Sequence, residues 1–317
     1  MTAALDLSFA ERDLSRKEWA QELRRIGDTH GFYEEIGAEH TALYVKSGKT
    51  LIITFENLDH VYELGNRLPW GFEFVQKQGW SILGMMAHGW TWYRDEDVFA
   101  FFNRLRDEKF FDQFDRVVFY GASMGGYAAC AFSAACPGAT VVTISPQATL
   151  DRDLCSWEKR YHKVWSRDFT SQYGYAPEMS STAQNVFLFY DPQEPPDAMH
   201  AALFQNPNVT KFKCRFQGHR IASGLQQMGI LKQIVSACVD GTLDRHMFYK
   251  LIRARRDFKR YLRELILRID EKKHPLLISL VANRVLSKGR APVFRRKKTA
   301  ADRLLRKRGR TPPGEDI

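Results

Sequence analysis

The sequence lacks most of the signatures that declare a function outright. Its nine histidines and five cysteines are scattered, with no C-x-x-C, no H-E-x-x-H and no Cys/His pair at ligand spacing, so no metal is expected. No P-loop is found, and no G-x-G-x-x-G opens a helix after a strand; the common nucleotide cradles are missing and no cofactor is expected. The cysteines, Cys130, Cys136, Cys155, Cys214 and Cys238, are odd in number and read as free, mostly buried thiols of a reducing compartment. No apolar run approaches the roughly 18 residues of a membrane span. The start, MTAALDLSFAERDLSRKEW, mixes acids and bases where a signal peptide would have an apolar core. A cytoplasmic protein is expected.

What is present is material for a large core, 44% hydrophobic and 13% aromatic in 317 residues, and an uneven spread of charge. The net charge of +10 joins two unlike parts. From Arg245 to Ile317 there are 23 Lys+Arg against 7 Asp+Glu, and the rest of the chain carries 24 against 30. An acidic body therefore bears a strongly basic C-terminal region, which speaks of partners rather than fold.

Apolar runs at 51–55 (LIITF), 81–87 (SILGMMA), 117–120, 140–144 (TVVTI), 185–190 (NVFLFY) and 211–216 alternate with helical segments. The clearest of these is the amphipathic stretch 95–111, with Val98, Phe99, Phe102, Leu105 and Phe110 facing inward. This rhythm predicts an α/β fold with a mostly parallel, doubly wound sheet covered on both faces. Residues 1–40 read as an N-terminal helical segment, with a helix at 15–26 and a turn at Gly27-Asp28. The α/β domain spans 41–244, opening with a hairpin of 42–46 against 51–55 about Ser47-Gly48, and a short helix follows at 59–64. Segment 151–184, aromatic-rich and polar, sits where a lid over the site would lie, or is a long helical connection.

The chain is organised around Arg116 to Ala129, RVVFYGASMGGYAA. A buried strand runs into Gly121-Ala122-Ser123-Met124-Gly125, which is G-x-S-x-G, and then into helix-forming residues. A serine at the tip of so sharp a turn needs neighbours two residues away that are nearly free of side chain. The helix behind it offers N–H groups to a developing oxyanion. A serine hydroxyl needs a base, and the base an orienting carboxylate. His219, after the last strand and behind the flexible Gly218, is the candidate base. The acid is sought in the loop after the preceding strand, Asp191 through Asp197. Asp191 stands at the strand end and is preferred, Glu194 is second, and Asp197 is more distant.

With these residues assembled, the chain resembles the α/β-hydrolase superfamily over roughly residues 51–238. The resemblance implies Ser123 as nucleophile, His219 as general base and then acid, and Asp191 or Glu194 as the orienting carboxylate. It places the oxyanion hole at the N–H of Met124 and an N–H of the Glu56-Asn57 loop, with Asn57 the candidate second donor. The implied activity is that of a serine esterase or acyltransferase working through an acyl-serine, on a small-molecule or glycan-linked acyl substrate. The alternative is a non-catalytic α/β-hydrolase-like binding or accessory protein, for example in surface-glycan processes, whose basic region is the functional part.

That region reads as a helical hairpin, 245–288, with one periodic helix over 246–269 and a second opening at Pro275, followed by a basic, disordered tail at 289–317. Its candidate partners are an anionic polymer, an anionic membrane surface or an acidic protein. Aromatics do not interleave with the terminal basic run, so no specific nucleic-acid recognition is expected.

Overall fold

The structure, a computed structural model, describes residues 13–63 and 67–314. The first twelve residues, on which the expectation of no signal peptide partly rests, lie outside the described residues, as do 64–66 and 315–317.

Eight strands form one sheet in the order β1-β2-β4-β3-β5-β6-β7-β8. They are β1 (Gly31–Ile36), β2 (His40–Val45), β3 (Thr50–Asn57), β4 (Ser81–Ala87), β5 (Arg116–Ala122), β6 (Thr140–Ile144), β7 (Asn185–Tyr190) and β8 (Val209–Lys213). β2 runs antiparallel to both β1 and β4, and every other pairing is parallel. The central runs are apolar on both faces because both faces are covered. One core gathers Phe55, Phe102, Phe119, Tyr127 and Phe132; the other gathers Trp19, Phe72, Val118, Tyr120, Phe212 and Phe248. Among the described residues no helix is long and apolar enough to cross a membrane.

Several expectations are corrected here. The segment 1–40 is not wholly helical: β1 makes a hairpin with β2 through Gly37, whose φ of 56° suits glycine. The expected hairpin of β2 with β3 does not form. β3 is buried from Leu51 to Phe55 and takes parallel partners on both edges, β4 and β5, so β2 pairs with β4 instead. Gly27 is no turn but part of the helix Arg16–His30; a Cβ there would stand 2.6 Å from the Phe32 carbonyl carbon where β1 crosses. The amphipathic helix is Glu96–Asp107, capped by the Asp95 carboxylate; it buries Phe101 beside the expected Val98, Phe102 and Leu105, while Phe99 and Phe110 are half-buried against the same core. The last strand lies two or three residues earlier than its apolar run suggests.

The C-terminal region differs most. The single helix expected over 246–269 is broken into Arg245–Leu251, a 3-10 turn at Ile252–Asp257, and Lys259–Arg268, with Phe258 extended between them. The reason is that its apolar stripe serves two cores. Phe248 and Ile252 belong to the sheet's core, whereas Leu262 and Ile266 belong to a third cluster. Nor are the described residues 289–314 of the expected 289–317 tail unfolded. Pro292–Lys307 is a helix on Pro275–Leu286, burying Phe294, Ala301 and Leu305, with the Ser279 hydroxyl donating to Asp302 at 2.5 Å. Those three apolar residues recur at helical spacing within a run of lysines and arginines.

Candidate active site

The serine turn is built by close backbone approach. A Cβ on Gly121 would lie 2.0 Å from the Gly125 carbonyl oxygen, and one on Gly125 would lie 2.3 Å from that of Phe55. Only glycine lets β5, its helix and β3 meet this tightly. Ser123 itself sits at φ 55°, ψ −119°, a conformation costly for a residue with a side chain. Its N–H donates to Ile144 O on β6 at 2.8 Å, which fixes the tip against the sheet. Met124 opens the helix Met124–Phe132, so its N–H is among the first-turn donors that have no partner within a helix.

The structure brings His219 to this tip. Its Nε2 lies 2.8 Å from the Ser123 hydroxyl, and its Nδ1 lies 2.8 and 3.0 Å from the two carboxylate oxygens of Asp197. With Nδ1–H donating to Asp197, Nε2 is free to accept the serine proton. The loop that carries the imidazole is braced from the basic region: the Arg260 guanidinium donates to Arg220 O at 2.8 Å, and Arg268 lies over the Phe216 ring.

The acid against the imidazole is therefore Asp197, not Asp191 or Glu194. Asp191 Oδ1 accepts from Gln193 N–H and its Oδ2 from Gly218 N–H, so it shapes the two loops and does not meet the ring. Glu194 precedes the helix Pro195–Leu203, and its carboxylate does not occupy Nδ1. Pro195 and Pro196 start that helix just beyond the strand, and its first turn carries Asp197 back over the sheet end. A Pro-Pro-Asp run is a helix-start signal with the acid in the favoured first turn, and it was the available clue.

Asp197 is buried and does not stand alone. Arg160 donates to its Oδ1 at 2.7 Å and holds Glu158 through Nε and Nη2 at 2.6–3.1 Å. Behind Glu158 stands His200, fully buried. Its Nδ1 accepts from Ala148 N–H at 3.1 Å, so its Nε2 carries the proton toward Glu158 at 3.2 Å. Burial would push both carboxyls up, but bonds from His219 and Arg160 hold Asp197 below its usual range, and those from His200 and Arg160 hold Glu158 down at about 2. Glu158 and Arg160 both come from the segment expected as a lid.

Tyr161, from the same segment, brings its hydroxyl to 3.3 Å from His219 Nε2. Its ring packs on Trp92 at 4.7 Å, and Trp90, 54% exposed, stands edge-on beyond it. A hollow of about 380 Å³ opens there between Trp90, Lys163, Val164, Ser166 and Arg167. Asn57 ends β3, whose register sets it level with Ser123, but its side-chain amide donates to Gly89 O at 3.1 Å. Among the described residues no group of three or more His, Cys, Asp or Glu side chains could hold a metal ion.

No protein-family model matches the sequence, and no curated protein does. Among solved structures the chain is similar to the capsule O-acetyltransferase of Neisseria meningitidis serogroup A, at 14% identity over 63% of this chain and 94% of that one, TM-score 0.44. It is similar to Est1E from Butyrivibrio proteoclasticus, at 13% over 65% and 97%, TM-score 0.44. A third is the Pyrococcus furiosus esterase Pf2001, at 15% over 72% and 96%, TM-score 0.43. By its sheet order, its serine turn between β5 and a helix, and the chain order Ser123, Asp197, His219, this chain has the fold of the α/β-hydrolase superfamily.

Proposed function

We propose that this protein is a serine hydrolase of the esterase or acyltransferase kind. The observation that carries the reading is the line Asp197–His219–Ser123, with hydrogen-bond distances of 2.8 Å at both joints. A side chain that merely decorates a binding surface has no need of a strained serine, a base on its hydroxyl and a buried acid behind the base. The geometry therefore favours an enzyme over a non-catalytic binding module.

In this reading Ser123 Oγ attacks the acyl carbonyl while its proton passes to His219 Nε2. Charge moves onto the carbonyl oxygen beside the Met124 N–H. Collapse expels the leaving oxygen, which takes the proton from His219, and the acyl group remains on Oγ. Water, or an acceptor alcohol, then gives its proton to His219 and attacks the ester, and collapse frees Ser123 Oγ, which takes that proton back from His219. Asp197 holds the imidazole tautomer and stabilises the imidazolium that forms twice in the cycle. Hydrolysis and acyl transfer differ only in which oxygen attacks last.

The test is labelling by a fluorophosphonate probe, which reports an activated serine whatever the natural substrate. Labelling of the wild type that is lost in Ser123→Ala and His219→Ala supports the reading. A folded wild type that takes no label overturns it.

A further inference from the structure

The Asn57 side chain is braced on Gly89 O, and a further hydroxyl, that of Tyr161, stands at the His219 end of the site. The Tyr161 hydroxyl lies 3.3 Å from His219 Nε2, the same nitrogen that meets the Ser123 hydroxyl at 2.8 Å. The direction of its proton follows from a row of one-way bonds. An indole N–H can only donate. Trp92 Nε1 lies 3.0 Å from Gln147 Oε1, which turns the amide NH2 of Gln147 toward the Tyr161 oxygen, 3.5 Å away. With an amide donor behind it, the Tyr161 hydroxyl directs its own proton forward into the site, while His219 Nε2 takes the shorter bond from Ser123 at 2.8 Å. Gln147 is 0% and Trp92 1% exposed, so bulk water does not compete for this row. Burial raises the pKa of the phenol, against the opposing pull of Arg160, and keeps its proton on oxygen.

Resting on the serine-hydrolase reading, we propose that Tyr161 is a catalytic donor to the negative charge that develops at the Ser123–acyl centre, with Gln147 and Trp92 as positioning residues that aim it. As Oγ bonds to the acyl carbon, the Ser123 proton goes to His219 and the carbonyl π pair goes to the carbonyl oxygen. Tyr161 transfers nothing; its O–H shortens onto that charge and relaxes when the leaving group departs. One side chain of the 151–184 segment thereby joins the Met124 N–H as a donor.

The test uses the full chain with 4-nitrophenyl acetate, and the second-order rate of fluorophosphonate labelling where turnover is slow. Tyr161→Phe keeps the ring between Trp92 and Arg160, at 4.7 and 5.1 Å. It should lower kcat about 100-fold with KM held within about twofold, because the donor acts on the transition state. Gln147→Leu should lower kcat about tenfold with the same split, and it carries the test should Tyr161→Phe not fold. Two results overturn the proposal and leave the hydrolase standing: a Tyr161→Phe kcat within about threefold of wild type while Ser123→Ala is inert, or a change confined to KM. A wild type with neither turnover nor labelling removes both readings.

Discussion

Arg160 and His219 divide one carboxylate between them: the guanidinium takes Oδ1 of Asp197 at 2.7 Å and the imidazole takes Oδ2 at 2.8 Å. The arginine comes from the segment after β6, the acid from the helix after β7 and the histidine from the loop after β8. Three loops that could each move alone are thereby tied at one buried point. The orientation of the imidazole depends on a cation that never meets the serine.

Removing that cation leaves two buried carboxylates without their partner. Arg160→Leu should cost about 3 kcal/mol of unfolding free energy, read from urea unfolding curves. Adding Glu158→Gln should recover part of the loss, since one of the two orphaned charges is then gone. If the double variant is no more stable than the single one, Glu158 is not held by Arg160 in the way the distances imply.

Acid should loosen the same point. Asp197 and Glu158 both release their protons more readily in the folded chain than in the unfolded one, so their stabilisation is present above the ordinary carboxyl range and lost as pH falls. For Glu158 the window runs from its ordinary 4.5 down to about 2. Wild-type stability should fall across that window more steeply than that of Glu158→Gln, followed by urea unfolding at fixed pH. Parallel curves would remove Glu158 from the account of acid stability.

Three carboxyls of one loop can be told apart by activity. Asp197→Asn should keep the fold and lose about 10,000-fold in kcat, because an amide no longer holds the Nδ1–H tautomer. Asp191→Asn and Glu194→Gln should each lose less than about tenfold, since neither meets the ring. A deep loss in Asp191→Asn with Asp197→Asn active would reverse the assignment.

That loop also shows where sequence reading stopped. Ser123 was legible because a strand-to-helix turn with glycines at both flanks is a local, steric demand, and His219 because Gly218 marks the next strand end. The choice among Asp191, Glu194 and Asp197 was not, since it depends on the direction in which Pro195-Pro196 launch a helix. Arg160 and Tyr161 meet their partners across 37 and 58 residues, and no periodicity encodes such a meeting. The central strands β4, β6 and β7 could be read to the residue from unbroken apolar runs. β1, an edge strand with half-exposed, weakly alternating GFYEEI, could not. In the basic region, charge was legible and packing was not, because the buried Phe294, Ala301 and Leu305 are few among the cations.

The strain at Ser123 predicts a separation of stability from function. At φ 55° and ψ −119° a residue with a Cβ is held against its preference, whereas glycine enters that region freely. Ser123→Ala removes the nucleophile and keeps the Cβ, so it should be inactive with nearly wild-type stability. Ser123→Gly removes both, and should be equally inactive but more stable than Ser123→Ala by about 1 kcal/mol, the relief of backbone strain exceeding the extra entropy of an unfolded glycine. Thermal unfolding of the two variants side by side decides this. A glycine variant less stable than the alanine one would mean that the turn is not strained and that its conformation is chosen by the chain alone. The predicted order would mean that β5, β6 and the helix behind them hold a serine where it does not rest, so that its hydroxyl meets His219.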